Sequence, residues 1–494
     1  MTVDLSRFTA VELRQLLLTG ELKALEVTEY FLDKIASQNH LIGAFTQLDG
    51  SALDAAAALD TVRGSAPAAI SDSAAPLLWG LPIAHKELID VAGLITTHGS
   101  RVFADQAAAT EDSPLAAVTR AAGAVHLGKT QVPEFGLSGY SENRLAPPAR
   151  NPHNPSLTAG GSSGGAAAAV AAGMVPFATG SDAGGSIRIP AAACGVVGLK
   201  PSRGALAVDR EQTPGGADAV QLSVSGPLAR TVADAALLFD AMRADPVIAA
   251  GFSAGGSTRH AALDAVTVVQ RERGAGDPQR DRDRSRLRIG VTAQSVFDGD
   301  YSIRLDTATA AALEHAAGQL AARGHSVEWV TFAYPSGYYE DFNRVWRHSF
   351  AQLPLNPEQL EQLDPYTAYS YLEGKSVNEL AAARSRQRLR QIGAAVSQQW
   401  REFDAVLTPT NAWLPPEVGF FAGVDPAENF ALQCEWLPYT SIANVSGVPA
   451  VSVPVLRDAE SRLPVSVQLL GDYGAELRLL ALAAEIELPR DRRL

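Results

Sequence analysis

The sequence predicts an α/β protein, a buried sheet covered by helices, on three observations. From Pro76 onward, short apolar runs punctuated by glycine and proline, such as Leu81-Pro-Ile-Ala-His85, alternate with amphipathic stretches such as residues 113–122. Strands buried on both faces read as unbroken apolar runs, and the helices that cover them read with a 3.6-residue period. The chain also opens and closes on helical patterns, and its 494 residues are 46% hydrophobic, enough to bury a large core.

The elements follow in order. Residues 10–18 and 24–38 carry apolar residues three and four apart, with Thr9 and Thr28 near helix starts, and are expected to pack outside the sheet. Residues 151–204 are the most unusual block: Gly160-Gly-Ser-Ser-Gly-Gly165, an alanine-rich helix, then Gly180-Ser-Asp-Ala-Gly-Gly-Ser-Ile-Arg188. The stretch Ser156-Leu-Thr-Ala159 does not read as a strand. Residues 231–242 are an amphipathic helix, and 245–286 turn polar and end in an alternating arginine and aspartate run at 280–286, and that charge run is read as a solvated loop. A strand restarts at 287–291, a helix covers 306–323, and 335–400 are aromatic and helical. Strands at 405–408 and 450–454 precede a last helix at 475–486.

Composition excludes several function classes. A formal charge of -13 disfavours nucleic acid, which needs a basic face to displace counterions. Two distant cysteines, Cys194 and Cys434, give neither a disulfide framework nor zinc-ligand spacing, so no metal is expected and a reducing cytoplasm fits. The opening Met-Thr-Val-Asp lacks the pattern of a secretory signal. The small-apolar stretch 166–178 is too short to span a bilayer, so no membrane association is expected. Lysine occurs only at 23, 34, 86, 129, 200 and 375, so each can be weighed singly.

A serine hydroxyl is a weak nucleophile and needs a base, oxyanion donors and a turn that presents it. Two serines meet the last requirement. Ser162 formally matches a Gly-x-Ser-x-Gly elbow, but that arrangement requires a preceding strand and a late histidine, and the last histidine here is His348. Ser186 ends Asp182-Ala-Gly-Gly-Ser, where successive glycines let backbone N–H groups converge.

Together with Gly80-Leu-Pro-Ile-Ala-His-Lys86, these segments resemble the amidase-signature family. Its pattern is Gly-x-Pro-x-x-x-Lys, Gly-Gly-Ser-Ser-Gly-Gly and Gly-Ser-Asp-x-Gly-Gly-Ser-Ile-Arg-x-Pro-Ala, the last present as residues 180–191. Ala121-Ala-Gly-Ala, Gly128-Lys-Thr, Glu134-Phe135, Gly226-Pro-Leu-Ala-Arg-Thr-Val and Asn444-Val-Ser-Gly-Val-Pro-Ala450 extend the likeness over nearly the whole chain. Glu87, Gln131 and Ala166 depart from the common residues without removing a catalytic atom.

The resemblance implies one α/β/α domain over 1–494 with a mixed central sheet. Within it would lie N-terminal helices (1–60), a catalytic core (76–240) and a cap or pocket region (335–440). It implies amide hydrolysis with Ser186 as nucleophile, Ser162 as a bridging serine behind a cis peptide, and Lys86 as base. The oxyanion donors would be N–H groups of Ala183, Gly184, Gly185 and Ser186, and no cofactor would be needed. A neutral lysine near pH 7 costs roughly 4.6 kcal/mol against a reference pKa of about 10.4, unless burial depresses that pKa.

Asp182 and Arg188 are expected to fix the nucleophile turn, Ser163 to hydrogen-bond beside it, Lys129 and Glu134 to support the fold, and His85 to face away from Lys86. Leu137, Phe430, Cys434 and Trp436, among the aromatics from Trp413 and Phe420 through Phe421 to Tyr439, are expected to line an apolar pocket. That pocket suits small-molecule aryl or alkyl amides, anilides, oligoamides or carbamates. The alternatives are the glutamine-hydrolysing subunit of a tRNA-dependent amidotransferase, a histidine-dependent esterase using Ser162, and a non-catalytic scaffold. The chain would act as a monomer or homodimer.

Overall fold

The computed structural model describes residues 4–65, 75–212, 221–243, 260–275 and 286–489. Its strands are β1 (Phe45–Leu48), β2 (Pro82–Lys86), β3 (Val125–Thr130), β4 (Arg150–Asn151), β5 (Asn154–Thr158), β6 (Phe177–Asp182), β7 (Val197–Lys200), β8 (Val224–Ala229), β9 (Arg288–Val291), β10 (Ser326–Trp329), β11 (Ala405–Pro409), β12 (Ala450–Arg457) and β13 (Pro464–Leu470). Eleven of them form one mixed sheet in the order β1-β3-β2-β6-β8-β7-β12-β13-β11-β9-β10, and β4 and β5 pair apart from it. β2 runs parallel to both β3 and β6, so the three end on the same edge of the sheet. β9 runs parallel to β10 and β11.

Local chemistry sets the helices. α1 (Ala10–Thr19) starts on a capping box in which Thr9 and Glu12 satisfy each other's backbone N–H. α2 (Ala24–Ile42) runs on to Gly43, and Thr28 lies inside it, not at its start. α3 (Ala52–Ser65) follows β1, a strand inside a segment read as all helical. α4 (Pro114–Ala121) has Ser113 as cap and proline in its first turn. α5 (Gly164–Ala171) is buried on every side, which is why it is built from alanine and glycine: a Cβ on Gly165 would stand 2.3 Å from the Gln131 backbone nitrogen. α6 (Arg188–Cys194) follows the second glycine-rich turn, and α7 (Val232–Met242) is capped by Thr231.

Two segments gain structure that the sequence reading does not give them. The polar stretch 245–286 carries a helix before its charge run, α8 (Ala261–Ala275). Its cap comes from α7, where the Asp240 carboxylate accepts from the N–H groups of Ala262 and Leu263. Most of the charge run, residues 280–285, lies outside the described residues. Ser156 and its neighbours do form a strand, held by β4 and by backbone hydrogen bonds to Pro416 and Val418.

α9 (Thr307–Ala322), capped by Asp306, packs on the sheet. The aromatic region folds as α10 (Tyr338–Phe350), α11 (Pro357–Leu360), α12 (Pro365–Ser376) and α13 (Glu379–Trp400), followed by α14 (Pro426–Trp436), α15 (Ser441–Ser446) and α16 (Glu476–Ile486). One large apolar cluster lies between the sheet and its helices. A second, around Phe297, Tyr338, Phe342, Phe430 and Cys434, stands over the edge where β2 and β6 end. Among the described residues no helix is long and apolar enough to cross a membrane.

Candidate active site

Lys86 is the last residue of β2 and Asp182 the last of β6, so the parallel pair delivers both to one edge of the sheet, the usual ligand edge of such sheets. Lys86 is 2% exposed. Its Nζ lies 2.8 Å from Ser162 Oγ, 3.0 Å from Ser181 Oγ and 3.1 Å from the Ser181 carbonyl. Burial lowers its pKa from 10.5 to about 7, with the Asp182 carboxylate pulling weakly the other way. A neutral amine has two N–H donors and one lone pair, which matches two contacts at Ser181 and one acceptance from the Ser162 hydroxyl.

The two serine turns meet. The peptide between Gly161 and Ser162 is cis. The Ser163 N–H donates to the Ser186 carbonyl at 3.1 Å, and Ser163 Oγ donates to the Ser181 carbonyl at 3.4 Å. His85, next to Lys86, points to the other face, where its Nδ1 is 2.9 Å from Thr179 Oγ1 and its ring meets His126 edge-on. Burial, reinforced by Lys129, keeps His85 neutral, with a pKa of about 3. Lys129 forms a buried ion pair with Glu87 at 3.1 Å, and Glu134 accepts from Ser100 Oγ and from the Asp364 N–H.

Asp182 organises the turn that carries Ser186. Its Oδ1 accepts from the Gly185 N–H at 2.7 Å and its Oδ2 from the Ile187 N–H at 3.1 Å, while Arg188 Nε and Nη2 donate to the same carboxylate at 3.0 and 2.9 Å. Burial alone would raise this carboxyl's pKa, but the Arg188 guanidinium outweighs it and holds the group well below the ordinary carboxylate range. Arg188 is fully buried and also donates to the Thr440 carbonyl, Gln468 Oε1 and Asn444 Oδ1.

One expected oxyanion donor is corrected: the Gly185 N–H is occupied by Asp182. The N–H groups of Ala183, Gly184 and Ser186 have no acceptor among the described residues. Gly185 sits at φ +132°, and a Cβ there would stand 2.3 Å from Thr440 Oγ1, so the turn requires glycine.

Ser186 and Gly184 open into a narrow cleft of about 60 Å³. Of the pocket residues expected from sequence, Leu137, Phe430 and Cys434 line it. Trp436 does not: it is wholly buried in a separate cluster, stacked on Phe421, with its Nε1 donating to the Trp413 carbonyl. Phe420 is exposed, and the Tyr439 hydroxyl donates to the Ala293 carbonyl away from the cleft. The cleft's aromatic wall also includes Phe342 and Trp346, which lie within the expected pocket region 335–440 but were not named, and Phe297, which lies outside it.

Also missed were Ser181, Thr440, Asn444 and Gly136. Asn444 Nδ2 donates to both the Asp182 carbonyl and its carboxylate, and Thr440 Oγ1 donates to the Gly184 carbonyl at 2.6 Å. The signal for Asn444 was present, since its segment belongs to the family resemblance, but no role was attached to it.

Comparison with known proteins agrees with this geometry. The family model described as Amidase matches residues 26–480. The chain is 33% identical to AmiC of Mycobacterium tuberculosis, itself only provisionally assigned as an amidase, over 97% of this chain and 94% of that protein. A Synechocystis protein with the same provisional assignment is 31% identical over 98% and 89%. Among solved structures, a 6-aminohexanoate cyclic dimer hydrolase complexed with substrate superimposes with a TM-score of 0.80 at 28% identity, covering 98% of this chain and 97% of that one. Sequence, fold and relatives converge, and the chain belongs to the amidase family, as an enzyme of the amidase-signature type that hydrolyses amide bonds.

Proposed function

We propose that Ser186 attacks the carbonyl of a small-molecule amide to give an acyl-enzyme, with Ser162 relaying the proton to Lys86 and Lys86 returning it to the departing amine. The observation that carries this reading is the buried Lys86 Nζ, 2.8 Å from Ser162 Oγ, with its pKa lowered to about 7. A base with that pKa is half neutral at physiological pH, which suits general-base catalysis. The N–H groups of Ala183, Gly184 and Ser186 would receive the developing oxyanion. Ser163, Asp182 and Arg188 position the turn.

The aromatic cleft favours an apolar segment next to the scissile bond, as in aryl or alkyl amides, anilides, oligoamides or carbamates. Among its lining residues there is no carboxylate to pair an α-ammonium group, which speaks against free glutamine as substrate. The test is hydrolysis of a chromogenic anilide panel, with glutamine alongside, by wild type and by Ser186→Ala, Ser162→Ala and Lys86→Ala. Anilide cleavage that falls by about a thousandfold or more in each variant is the expected result. Full activity in Ser186→Ala would overturn the mechanism, and turnover of glutamine alone would overturn the substrate class.

A further inference from the structure

A second pair of parallel strands ends in a pocket that the mechanism does not use. β10 is the last strand of the sheet and runs parallel to β9 with Trp329 opposite Val291, so the segments that leave the two strands start side by side. Between them lies a pocket of about 570 Å³, whose lining includes Gln294, Asp298, Tyr301 and Trp329. Hydrogen bonds frame it. Gln294 Oε1 accepts from the Phe332 N–H at 2.6 Å, and Asp298 Oδ2 accepts from the Ser295 N–H at 3.0 Å. The carboxyl ends of parallel strands are where sheets of this kind bind ligands, as they do at the edge that presents Lys86.

The lining is chemically one-sided. No lysine, arginine or histidine belongs to it, and Asp298 has no ion pair among the described residues. Burial raises the Asp298 pKa, and only the Ser295 N–H works against that rise. Trp329 is 59% exposed, and among the described residues no ring or cation covers its indole. An unpaired carboxylate and an open indole face in one pocket suit a cation with an apolar body, because the ring quadrupole attracts an ammonium group and the carboxylate pairs its charge. A metal ion would require more oxygen ligands than one carboxylate supplies, and an anion would be repelled by it. The pocket backs onto the catalytic cleft. Phe297, next to Asp298, lines the cleft, while Tyr301 meets Tyr339 edge-on at 5.0 Å and Tyr339 lies 6.0 Å from Phe430 of the cleft.

We infer that this pocket is a binding site for an organic ammonium ion with a small apolar body, its charge held by Asp298 and its body by Trp329. Alkylamines, the second product when an alkyl amide is hydrolysed, are protonated near neutral pH and belong to this class. The assignment of the product amine as the ligand rests on the amidase reading; the site itself does not.

The test titrates benzyltrimethylammonium, whose charge is permanent, into the intact protein by calorimetry, with potassium chloride present throughout and benzyl alcohol as the neutral comparison. Wild type should bind the cation saturably and at a single site, and should not bind the alcohol. Asp298→Asn keeps an acceptor for the Ser295 N–H and removes only the charge; Trp329→Ala removes the indole. Each should weaken binding by about tenfold and leave the thermal melt unchanged. Absence of binding in wild type, or equal binding of benzyl alcohol, overturns the inference. Binding that survives both substitutions also overturns it, because the cation then sits elsewhere, in the catalytic cleft for example. Binding that depends on Asp298 and Trp329 in a protein that cleaves no amide upholds the site and overturns only the product assignment.

Discussion

Replacing Lys86 by methionine should abolish turnover and yet stabilise the protein near neutral pH. The lysine's pKa falls from 10.5 to about 7 because its ammonium is buried. At about 1.4 kcal/mol per pH unit, that shift is a penalty of about 5 kcal/mol in the native state. Methionine removes the penalty and fills a similar volume, but it gives up the contacts to Ser162 Oγ, Ser181 Oγ and the Ser181 carbonyl, at about 1 kcal/mol each. The net gain is about 2 kcal/mol at pH 7 and below.

The sign reverses with pH. Between the folded pKa near 7 and the unfolded value of 10.5, the unfolded wild-type chain holds a proton that the folded one has lost, so wild-type stability rises with pH across that window. The variant lacks this rise, and by pH 10.5 it should be less stable than wild type by about 3 kcal/mol. Urea unfolding of both proteins at pH 6, 8 and 10 measures the difference. A stability difference that does not change between pH 6 and 10 would refute the reasoning, because Lys86 would then keep an ordinary pKa.

Three further outcomes follow from the same geometry. In wild type, kcat/KM should rise with the loss of one proton and level off above a midpoint near pH 7, set by Lys86; a midpoint above pH 9 would contradict a depressed base. Gly136→Ala places a methyl 3.3 Å from Ser162 Oγ and 2.7 Å from Leu88 Cδ1, at φ +69°, so steady-state kinetics should show kcat lowered by about ten- to a hundredfold. Asp182→Asn leaves the fully buried Arg188 without its counter-charge, and denaturant titration should register a loss of about 3–5 kcal/mol together with loss of activity.

The fold and the site were legible in the sequence to different degrees. The core strand carrying Lys86 and the helix starts at Thr9, Ser113, Thr231 and Asp306 could be read locally, because buried parallel strands are continuously apolar and caps act within three residues. The helix at 261–275 could not, since the carboxylate that caps it belongs to Asp240, about twenty residues earlier in the chain. The strand at 154–158 escaped for a similar reason: its residues favour turns, and pairing with residues 416–418 holds it extended.

The same distinction governs the site. Lys86, Ser162 and Ser186 lie in glycine-rich segments whose spacing carries the family resemblance. The cleft wall comes from several distant segments, and of its side chains Leu137 was named together with Phe430 and Cys434, which lie four apart on one helix face. Trp436 is two residues beyond Cys434, about 200° around the helix, and so faces the other cluster. The Gly185 N–H is an oxyanion donor only as the family resemblance implies; the adjacent carboxylate that occupies it becomes evident only in three dimensions.

The central claim, that Ser186 and not Ser162 forms the covalent intermediate, is tested most directly by acid-quenching wild type during turnover of an activated 4-nitrophenyl ester and locating the acyl group by peptide mass spectrometry. The account predicts one acyl group, on the peptide containing Ser186, absent in Ser186→Ala. An acyl group on Ser162, or labelling that persists in Ser186→Ala, would contradict it.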